Sequence, residues 1–407
     1  MLKTALLNIL PISFRNKLRN IKNAIFNKRK ETVFITNYFK TDFNKKALIS
    51  YITAPFITGI EQKHTNHLEC YKIAMCLHQL GFSVDVVDFD SKNRTLDYQK
   101  YQLIFGFGDV LETAFYHIDQ KKTLTIYYGT GNHYFFINPA SVNRLQEVYE
   151  KTGVLMLKSI RFAESMWTLQ TTLSTGLIVL GNDFTANTFQ KYYHKGLVKP
   201  IPASFHHLHT PDFEKKDFES AKKHFLWFGS NGALHKGLDI LLFLFSKRKD
   251  IVLHVCGANP YEDAFFTYFN DYLYKTSNII NHQFVDIKSE AFKNILNICA
   301  FVVFPSASEG GCASVVTVMG NGGLIPIVSV AACLDVAHLG DVFAEISEKS
   351  VEESIDKMMQ TPNDKLKIMS QKVFDQINEI HHIDKYEKTM SLYIKDIVDK
   401  NTHINEK

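Results

Sequence analysis

One stretch, Phe301–Val330, restricts the fold of this chain more than any other. Its start overlaps an apolar run, Cys299–Phe304, which predicts a buried strand that ends at a proline. A loop at 306–311 leads into a predicted helix of small and branched residues, Ala313–Asn321. Two glycines end that helix, and Leu324–Val328 predicts the next buried strand. Strand, loop, helix and strand in this order indicate an α/β protein with parallel strands.

The loop in this stretch places one carboxylate and two glycines at the carboxyl end of the predicted strand. Free N–H groups and the positive end of a helix favour an anion there, and open α/β sheets bind ligands at that edge. Because a carboxylate repels phosphate, we expect Glu309 to face hydroxyl groups while the amides of Gly310 and Gly311 face phosphate. The alternative is an ordinary strand–loop–helix unit of any α/β protein.

Three features of this region resemble the donor site of retaining glycosyltransferases of the GT-B fold, family four: Pro-Ser-x-x-Glu-Gly at 305–310, the small-residue helix and Gly-x-x-Pro at 323–326. In that family the first Glu of a Glu-x7-Glu motif contacts the donor sugar and the second contacts the ribose. Glu309 matches the first, whereas Thr317 stands at the second position and does not match. The resemblance implies an α/β protein of two Rossmann-like domains facing a cleft, with the second holding a nucleotide sugar.

A second pattern of this kind lies earlier in the chain, where an apolar run ends in a glycine turn, one lysine and a predicted helix, Ile240–Phe245. Turn amides, a cation and a helix N-terminus together favour an anion. The segment resembles the family's Gly-Arg…Lys-Gly segment, whose Arg and Lys neutralise the donor diphosphate. Lys236 matches the lysine, but Ser230 stands at the Arg position, so one charge is missing. The resemblance covers roughly 48–346.

The first part of the chain predicts a right-handed β-α-β unit made of Ala47–Thr53, a helix at Thr65–Leu80 and Ser83–Asp88. In the resembling family the loop after the first strand forms the acceptor side. Polar residues at the start of the predicted helix are therefore candidate acceptor contacts: His64, Asn66 and His67. Helix capping and packing are the alternative roles for them.

A histidine follows another predicted strand, Thr123–Tyr128, on a glycine-bearing loop. Since carboxyl ends of parallel strands share one edge, His133 is expected to face the same crevice. A histidine in this region of the resembling family approaches the reacting edge of the donor sugar, which makes His133 the second candidate catalytic residue beside Glu309. A packing or surface role is the alternative.

Two patterns that suggest metal ligands are interpreted differently. Asp88 and Asp90 form the Asp-x-Asp pattern of the other glycosyltransferase fold, but that fold lacks a second nucleotide-type domain, so we interpret them as a solvated strand end. His206, His207 and His209 lie among prolines, with no Cys or carboxylate at metal-ligand spacing, and we place the domain linker there. We expect neither a metal nor a cofactor.

The first 30 residues carry eight Lys and Arg residues and no acid, in a chain whose net charge is only +4. Phe14, Leu18, Ile21 and Ile25 recur at helical spacing, which predicts a basic amphipathic helix. Such a helix can bind an anionic membrane surface, or it can pack its apolar stripe on the rest of the protein. The basic charge does not continue beyond this arm, which argues against a nucleic-acid partner.

Length and composition indicate the number of domains and the cellular location. The 407 residues suffice for two domains, and the chain contains neither an apolar run of membrane-spanning length nor a signal-peptide pattern. Six cysteines are scattered without a Cys-x-x-Cys pair, which favours a reduced cytosolic protein. We expect a cytoplasmic protein that is peripheral on the inner face of the membrane if the arm binds lipid.

We predict a basic arm (1–30), an acceptor domain (31–205), a donor domain (206–385) and a last helix that returns to the first domain (386–407). The function implied by the resemblance is metal-independent transfer of a hexose-type sugar from a nucleotide sugar to a glycan or lipid-linked acceptor. The resemblance also implies retention of the anomeric configuration and a role in bacterial surface polysaccharide or lipooligosaccharide biosynthesis. Two alternatives stay open: a GT-B-fold protein that binds nucleotide sugar or glycan without turnover, and a non-enzymatic scaffold on a membrane.

Overall fold

The computed structural model describes residues 33–61, 65–92, 95–258 and 261–402. Two sheets, one from each half of the chain, organise these residues. The predicted basic arm lies outside the described residues. None of the helices in the described ranges combines the length and hydropathy needed to cross a bilayer.

The first sheet is built from seven strands, listed in chain order: β1 (Phe34–Ile35), β2 (Lys45–Tyr51), β3 (Phe82–Asp88), β4 (Leu103–Gly106), β5 (Leu124–Gly129), β6 (Gly176–Leu180) and β7 (Lys199–Ile201). Their hydrogen-bonded order is β1-β3-β2-β4-β5-β6-β7. Neighbouring strands are parallel except that β1 pairs with β3 in the antiparallel sense. The parallel pairs require crossover connections, which helices supply.

The second sheet is built from six strands: β8 (His224–Phe228), β9 (Val252–Cys256), β10 (Ile279–Gln283), β11 (Phe301–Phe304), β12 (Ile325–Ser329) and β13 (Asp341–Phe343). All neighbours are parallel, in the order β10-β9-β8-β11-β12-β13. The order reverses between β8 and β11, so the loops after these two strands lie side by side at the carboxyl edge. Such a reversal point is where open α/β sheets bind their ligands.

Helices surround both sheets. Those of the first half are α1 (Ala54–Ile57), α2 (Thr65–Gln79), α3 (Asp109–Ala114), α4 (Tyr134–Thr152), α5 (Thr168–Leu173) and α6 (Asp183–Gln190). Those of the second half are α7 (Phe218–Ala221), α8 (Leu238–Lys247), α9 (Asp263–Tyr268), α10 (Asn270–Lys275), α11 (Glu290–Ile298), α12 (Ala313–Gly322), α13 (Glu348–Met359), α14 (Asn363–Ile380) and α15 (Ile383–Thr402).

The final helix, α15, returns to the first half of the chain. Its Tyr386, Met390, Ile394 and Ile397 are buried in the apolar core of the first sheet. The Tyr386 hydroxyl lies 2.8 Å from the hydroxyl of Tyr128, which ends the buried run of β5. The periodic apolar residues of the last helix therefore pack against the first domain, although the helix follows the second domain in the sequence.

Helix α4 was not predicted from the sequence, and it connects the two halves. It begins next to the first sheet, but Val148, near its end, and Met156, beyond it, are buried in the core of the second sheet. Arg144 of α4 and Asp239 of α8 form a buried ion pair, with Nη2 and Oδ2 2.6 Å apart. The internal Pro139 interrupts the helical pattern, which explains why the sequence did not indicate a helix here.

Three histidines on adjacent strands of the second sheet form a hydrogen-bonded row. His224 Nδ1 lies 2.8 Å from His254 Nε2, and His254 Nδ1 lies 2.9 Å from His282 Nε2. Burial, together with the two neighbouring imidazoles, lowers the pKa of His254 to about 3. Each contact needs one ring nitrogen that carries a proton and one that accepts it, so three neutral rings can form the row, and burial makes a charge on His254 unfavourable.

We expect the stability of the protein to fall on acidification because of His254. Its pKa is about 3 when folded and about 6.5 when unfolded, so the unfolded chain binds the extra proton below pH 6.5. The stabilisation is complete above pH 6.5, and about 2 kcal/mol of it is lost between pH 7 and pH 5. Urea unfolding at both pH values measures this loss. His254→Gln should show a shallower pH dependence, whereas the exposed control His194→Gln should keep it; equal slopes for all three proteins would contradict the assignment.

Candidate functional site

The loops after β8 and β11 are held together by backbone and side-chain hydrogen bonds. The Ala307 amide donates to the His235 carbonyl oxygen at 2.9 Å. The Trp227 indole N–H donates to the Lys236 carbonyl oxygen at 3.1 Å, which anchors the first loop to its own strand. These bonds bring the lysine and the carboxylate singled out in the sequence to one place.

Lys236 and Glu309 form a buried ion pair at this place. Nζ lies 3.4 Å from Oε1, and the side chains are 6% and 9% exposed. The Ser306 hydroxyl also donates to Glu309 Oε1, at 3.0 Å. Burial raises the pKa of Glu309, but the charges of Lys236 and Arg161 outweigh it, so the pKa lies below its usual value. The site therefore holds an ionised carboxylate beside a cation, largely screened from water.

Two backbone amides of the glycine turn after β8 already bind a carboxylate of the protein itself. The Glu262 carboxylate accepts hydrogen bonds from the amides of Gly232 at 2.6 Å and Ala233 at 3.0 Å. The turn binds an anion, as the sequence pattern indicated, but at these two amides the anion is a side chain. Burial raises the pKa of Glu262, and the two amide hydrogen bonds partly counter this.

Two predicted donor contacts differ in their surroundings. Ser230 lies just beyond β8 and is exposed to solvent. Thr317 lies on α12, is 7% exposed, and its hydroxyl donates to the Ala313 carbonyl oxygen one turn earlier at 2.8 Å. That bond is typical of a packed β-branched residue in a helix. A contact between Thr317 and ribose stays a prediction.

The two glycines after Glu309 lie against the first domain. A Cβ on Gly310 would fall 2.5 Å from the Thr130 carbonyl oxygen, and one on Gly311 would fall 3.1 Å from the Gly181 Cα. The Asn132 amide group donates to Ser308 Oγ at 2.9 Å and to the Glu309 carbonyl oxygen at 3.1 Å. The loop therefore lies between the domains, in front of α12, whose N-terminus carries no side-chain cap.

His133 begins α4 as its capping residue, and Nδ1 accepts the Phe135 amide hydrogen at 3.2 Å. Its ring stacks on Tyr192, with centroids 4.6 Å apart, and meets Phe189 edge-on. Burial lowers the pKa of His133 to about 4. These contacts favour the capping and packing role, while the side chain of its neighbour Asn132 hydrogen-bonds to the Glu309 loop. A role of His133 at the reacting sugar stays a prediction.

The candidate acceptor residues lie at the start of α2. His64 is outside the described residues, whereas Asn66 and His67 are in the first turn of the helix and partly exposed. His67 Nδ1 accepts a long hydrogen bond, 3.4 Å, from the Glu61 amide. Their contact with an acceptor stays a prediction.

The residues of the two metal-like patterns have other partners. Asp88 Oδ1 accepts hydrogen bonds from the Thr53 amide at 2.7 Å and the Thr53 hydroxyl at 3.0 Å, so it joins the ends of β2 and β3. His207 Nδ1 lies 2.6 Å from Asn378 Oδ1, and His209 Nε2 donates to the Ile287 carbonyl oxygen at 2.7 Å. The two imidazoles are thus engaged by different parts of the second domain.

Two residues of the site were missed in the sequence. His235 is fully buried, with Nε2 2.7 Å from the Ser308 carbonyl oxygen, and burial lowers its pKa to about 4. Its position beside Lys236 was the available signal. Arg161 approaches from the first domain and influences the pKa of both Glu309 and His235. It lies in an irregular segment whose pattern gives no signal of its location.

A cavity of about 490 Å³ adjoins the site between α4, α8 and the loop before α13. Its lining includes Ala307 of the β11 loop, but neither Lys236 nor Glu309. Six of its lining residues are charged, among them the Arg144–Asp239 pair. The ion pair is our candidate for the functional site, and this cavity lies beside it.

No protein-family profile matches the chain, and no curated protein sequence does either. Solved structures do match. Sucrose-phosphate synthase from Thermosynechococcus elongatus superposes with a TM-score of 0.60 at 11% identity, over 88% of this chain and 100% of that one. Anabaena HepE, solved with UDP and glucose, gives 0.54 at 11% identity, over 86% and 99%.

TarM of S. aureus, solved with UDP, gives a TM-score of 0.50 at 12% identity. The match covers 78% of this chain and 57% of TarM, so this chain spans rather more than half of that protein's length. At these identities the likeness shows the fold. Together with the two parallel sheets, it confirms the predicted class: an α/β protein of the GT-B type with two Rossmann-like domains.

The buried pair makes Lys236→Met a severe change. Removing the cation leaves Glu309 buried without the charge that it pairs with, which costs about 3–5 kcal/mol in such pairs. The double variant Lys236→Met/Glu309→Gln should cost less than the single one, because no uncompensated charge remains. Urea unfolding measures both.

The matched control is Lys222→Met, which breaks a surface pair with Glu219 whose carboxylate is 65% exposed. That change should cost about 1 kcal/mol or less. If Lys236→Met proved as mild as the control, the description of a buried and interdependent pair would be wrong.

Proposed function

We propose that this protein is a glycosyltransferase that moves a sugar from a nucleotide-sugar donor to a glycan or lipid-linked acceptor. The observation that carries the proposal is the buried pair of Lys236 and Glu309, located where the strand order of the second sheet reverses and facing the first domain. A cation for phosphate and an ionised carboxylate for hydroxyls, side by side in a cleft, are the groups that a sugar diphosphate requires.

The donor would bind with its diphosphate toward Lys236 and the N-terminal end of α12, where the helix dipole adds positive potential. The amides of Gly310 and Gly311 belong to the same end of the helix. Glu309 would accept hydrogen bonds from sugar hydroxyls and so fix the orientation of the ring. The low exposure of both charged groups strengthens these interactions relative to water.

The reaction breaks the bond between the anomeric carbon and the diphosphate oxygen, forms a bond to the acceptor oxygen and releases the acceptor proton. Negative charge grows on the departing diphosphate, and preorganised groups that face this charge lower the barrier. In our proposal Lys236 and the α12 dipole supply this stabilisation. We propose metal independence and retention of the anomeric configuration on the sequence resemblance.

Uridine diphosphate is the nucleotide that we propose to test first, because HepE and TarM were solved with UDP. We propose the acceptor side on the first domain, near Asn66 and His67. A bacterial surface glycan precursor as acceptor, a cytoplasmic location and attachment of the arm at 1–30 to an anionic membrane are further parts of the proposal.

A second candidate function is nucleotide-sugar binding without turnover. The inward hydroxyl of Thr317 and the uncharged, exposed Ser230 favour it, because both positions offer a donor weaker contacts than a carboxylate or a guanidinium would. The two candidates predict equal binding but different turnover.

The decisive variant is Glu309→Gln. It keeps the shape of the side chain and removes the charge, so transfer from UDP-sugars should fall by about a hundredfold or more, the scale of a lost polar contact in a transition state. UDP affinity should stay the same or rise, since Lys236 loses a competing anion. Product formation by mass spectrometry and calorimetry with UDP measure the two effects.

The control is Glu290→Gln at the exposed start of α11, which should leave both quantities unchanged. Turnover of Glu309→Gln within a few-fold of wild type would reject the role of this carboxylate. A wild-type protein that binds UDP-sugars but forms no product would support the second candidate function.

A further inference from the structure

A segment of the first domain lies across the glycine turn of the second. The Ser159 carbonyl oxygen accepts the His235 amide hydrogen at 2.9 Å. Lys158, on the same short 3-10 turn, forms an ion pair with Asp263 at 2.8 Å. The residues after this turn are thereby held at the edge of the candidate donor site.

Arg161 follows directly, and its backbone is fixed by α4. The Ser141 hydroxyl donates to the Arg161 carbonyl oxygen at 2.7 Å. Two residues on, Ala163 exchanges hydrogen bonds of 2.8 and 3.1 Å with the side chain of Asn138. These hydrogen bonds fix the backbone position of Arg161, although the segment is neither helix nor strand.

The stem of this side chain lies over Gly232. A Cβ at Gly232 would fall 2.8 Å from the Arg161 Cγ and 3.1 Å from its Cδ, and the glycine has a φ of +89°. Both the contact and the backbone conformation favour glycine at this position. The turn thus leaves room for the stem of the arginine side chain beside the candidate site.

The positive charge of Arg161 lowers the pKa of both Glu309 and the neighbouring His235. Its electrostatic influence therefore extends to the residues at the centre of the candidate site. The residue is exposed, and in the described part of the chain no carboxylate lies within ion-pair distance of its guanidinium. Lys236, in contrast, is already balanced by Glu309. The positive charge of Arg161 is therefore not neutralised by a paired carboxylate, in contrast to that of Lys236.

A donor diphosphate adds negative charge to a site that already contains Glu309 and the buried Glu262. One lysine cannot balance these groups, and Ser230 supplies no charge. We propose that Arg161, a residue of the first domain, is the second cation that binds the donor diphosphate, opposite Lys236. The inference rests on the proposed function and adds to it that diphosphate binding links the two domains.

The experiment is calorimetric titration with UDP and with uridine. Arg161→Gln should weaken UDP binding about tenfold or more, the scale of a lost hydrogen bond to a charged group, and leave uridine binding unchanged. Lys121→Gln is the control: it removes an exposed cation of the first domain that precedes β5, at the amino end of the strands, and should change neither affinity. Ser230→Arg in the Arg161→Gln background should recover UDP affinity, since it returns a cation to the turn.

UDP affinity of Arg161→Gln within twofold of wild type would overturn the proposal, and so would an equal loss for uridine and UDP. A failure of the proposed glycosyltransferase function would give a different result: the wild-type protein would bind none of UDP, GDP, ADP and CDP. That result would overturn the proposed role of Arg161 together with the proposed function. Thermal unfolding of each variant at wild-type temperature confirms that any loss of affinity does not come from a disrupted fold.

Discussion

The ion pair between Lys236 and Glu309 is the interaction on which the rest of the site depends. Two charges less than a tenth exposed are stable only if each has partners, and the protein supplies them from both loops and from the first domain. Ser306 donates to the carboxylate, while the Trp227 indole fixes the backbone of the lysine. The pair therefore requires β8 and β11 to be neighbours in the sheet.

The loops that carry this pair also form the contact between the domains. Gly310 approaches the backbone of Thr130 too closely for any side chain, and Asn132 binds the Glu309 carbonyl oxygen. Helix α4 adds the buried Arg144–Asp239 pair. The same elements thus position the charged groups of the candidate site and hold the domains together.

Much of the fold could be predicted because buried parallel strands appear as apolar runs bounded by Pro or Gly, as in Phe301–Phe304. The meeting of Lys236 and Glu309 was predictable too, since both follow strands whose carboxyl ends share an edge. The occupation of the glycine turn by Glu262 was not, because no pattern around Glu262 indicates which amides its carboxylate meets. The location of Arg161 could not be predicted for the same reason. Helix α4 was not predicted because its internal proline interrupts the helical pattern.

The most direct test of a donor site shared by both domains is hydrogen exchange with and without UDP. Bound diphosphate should slow exchange in three segments, two from the second domain (229–237 and 306–314) and one from the first (157–163), because each contributes groups to the site. Protection in all three segments is the predicted result. Protection confined to the walls of the neighbouring cavity, at 143–151 and 344–348, would contradict a donor site at the ion pair.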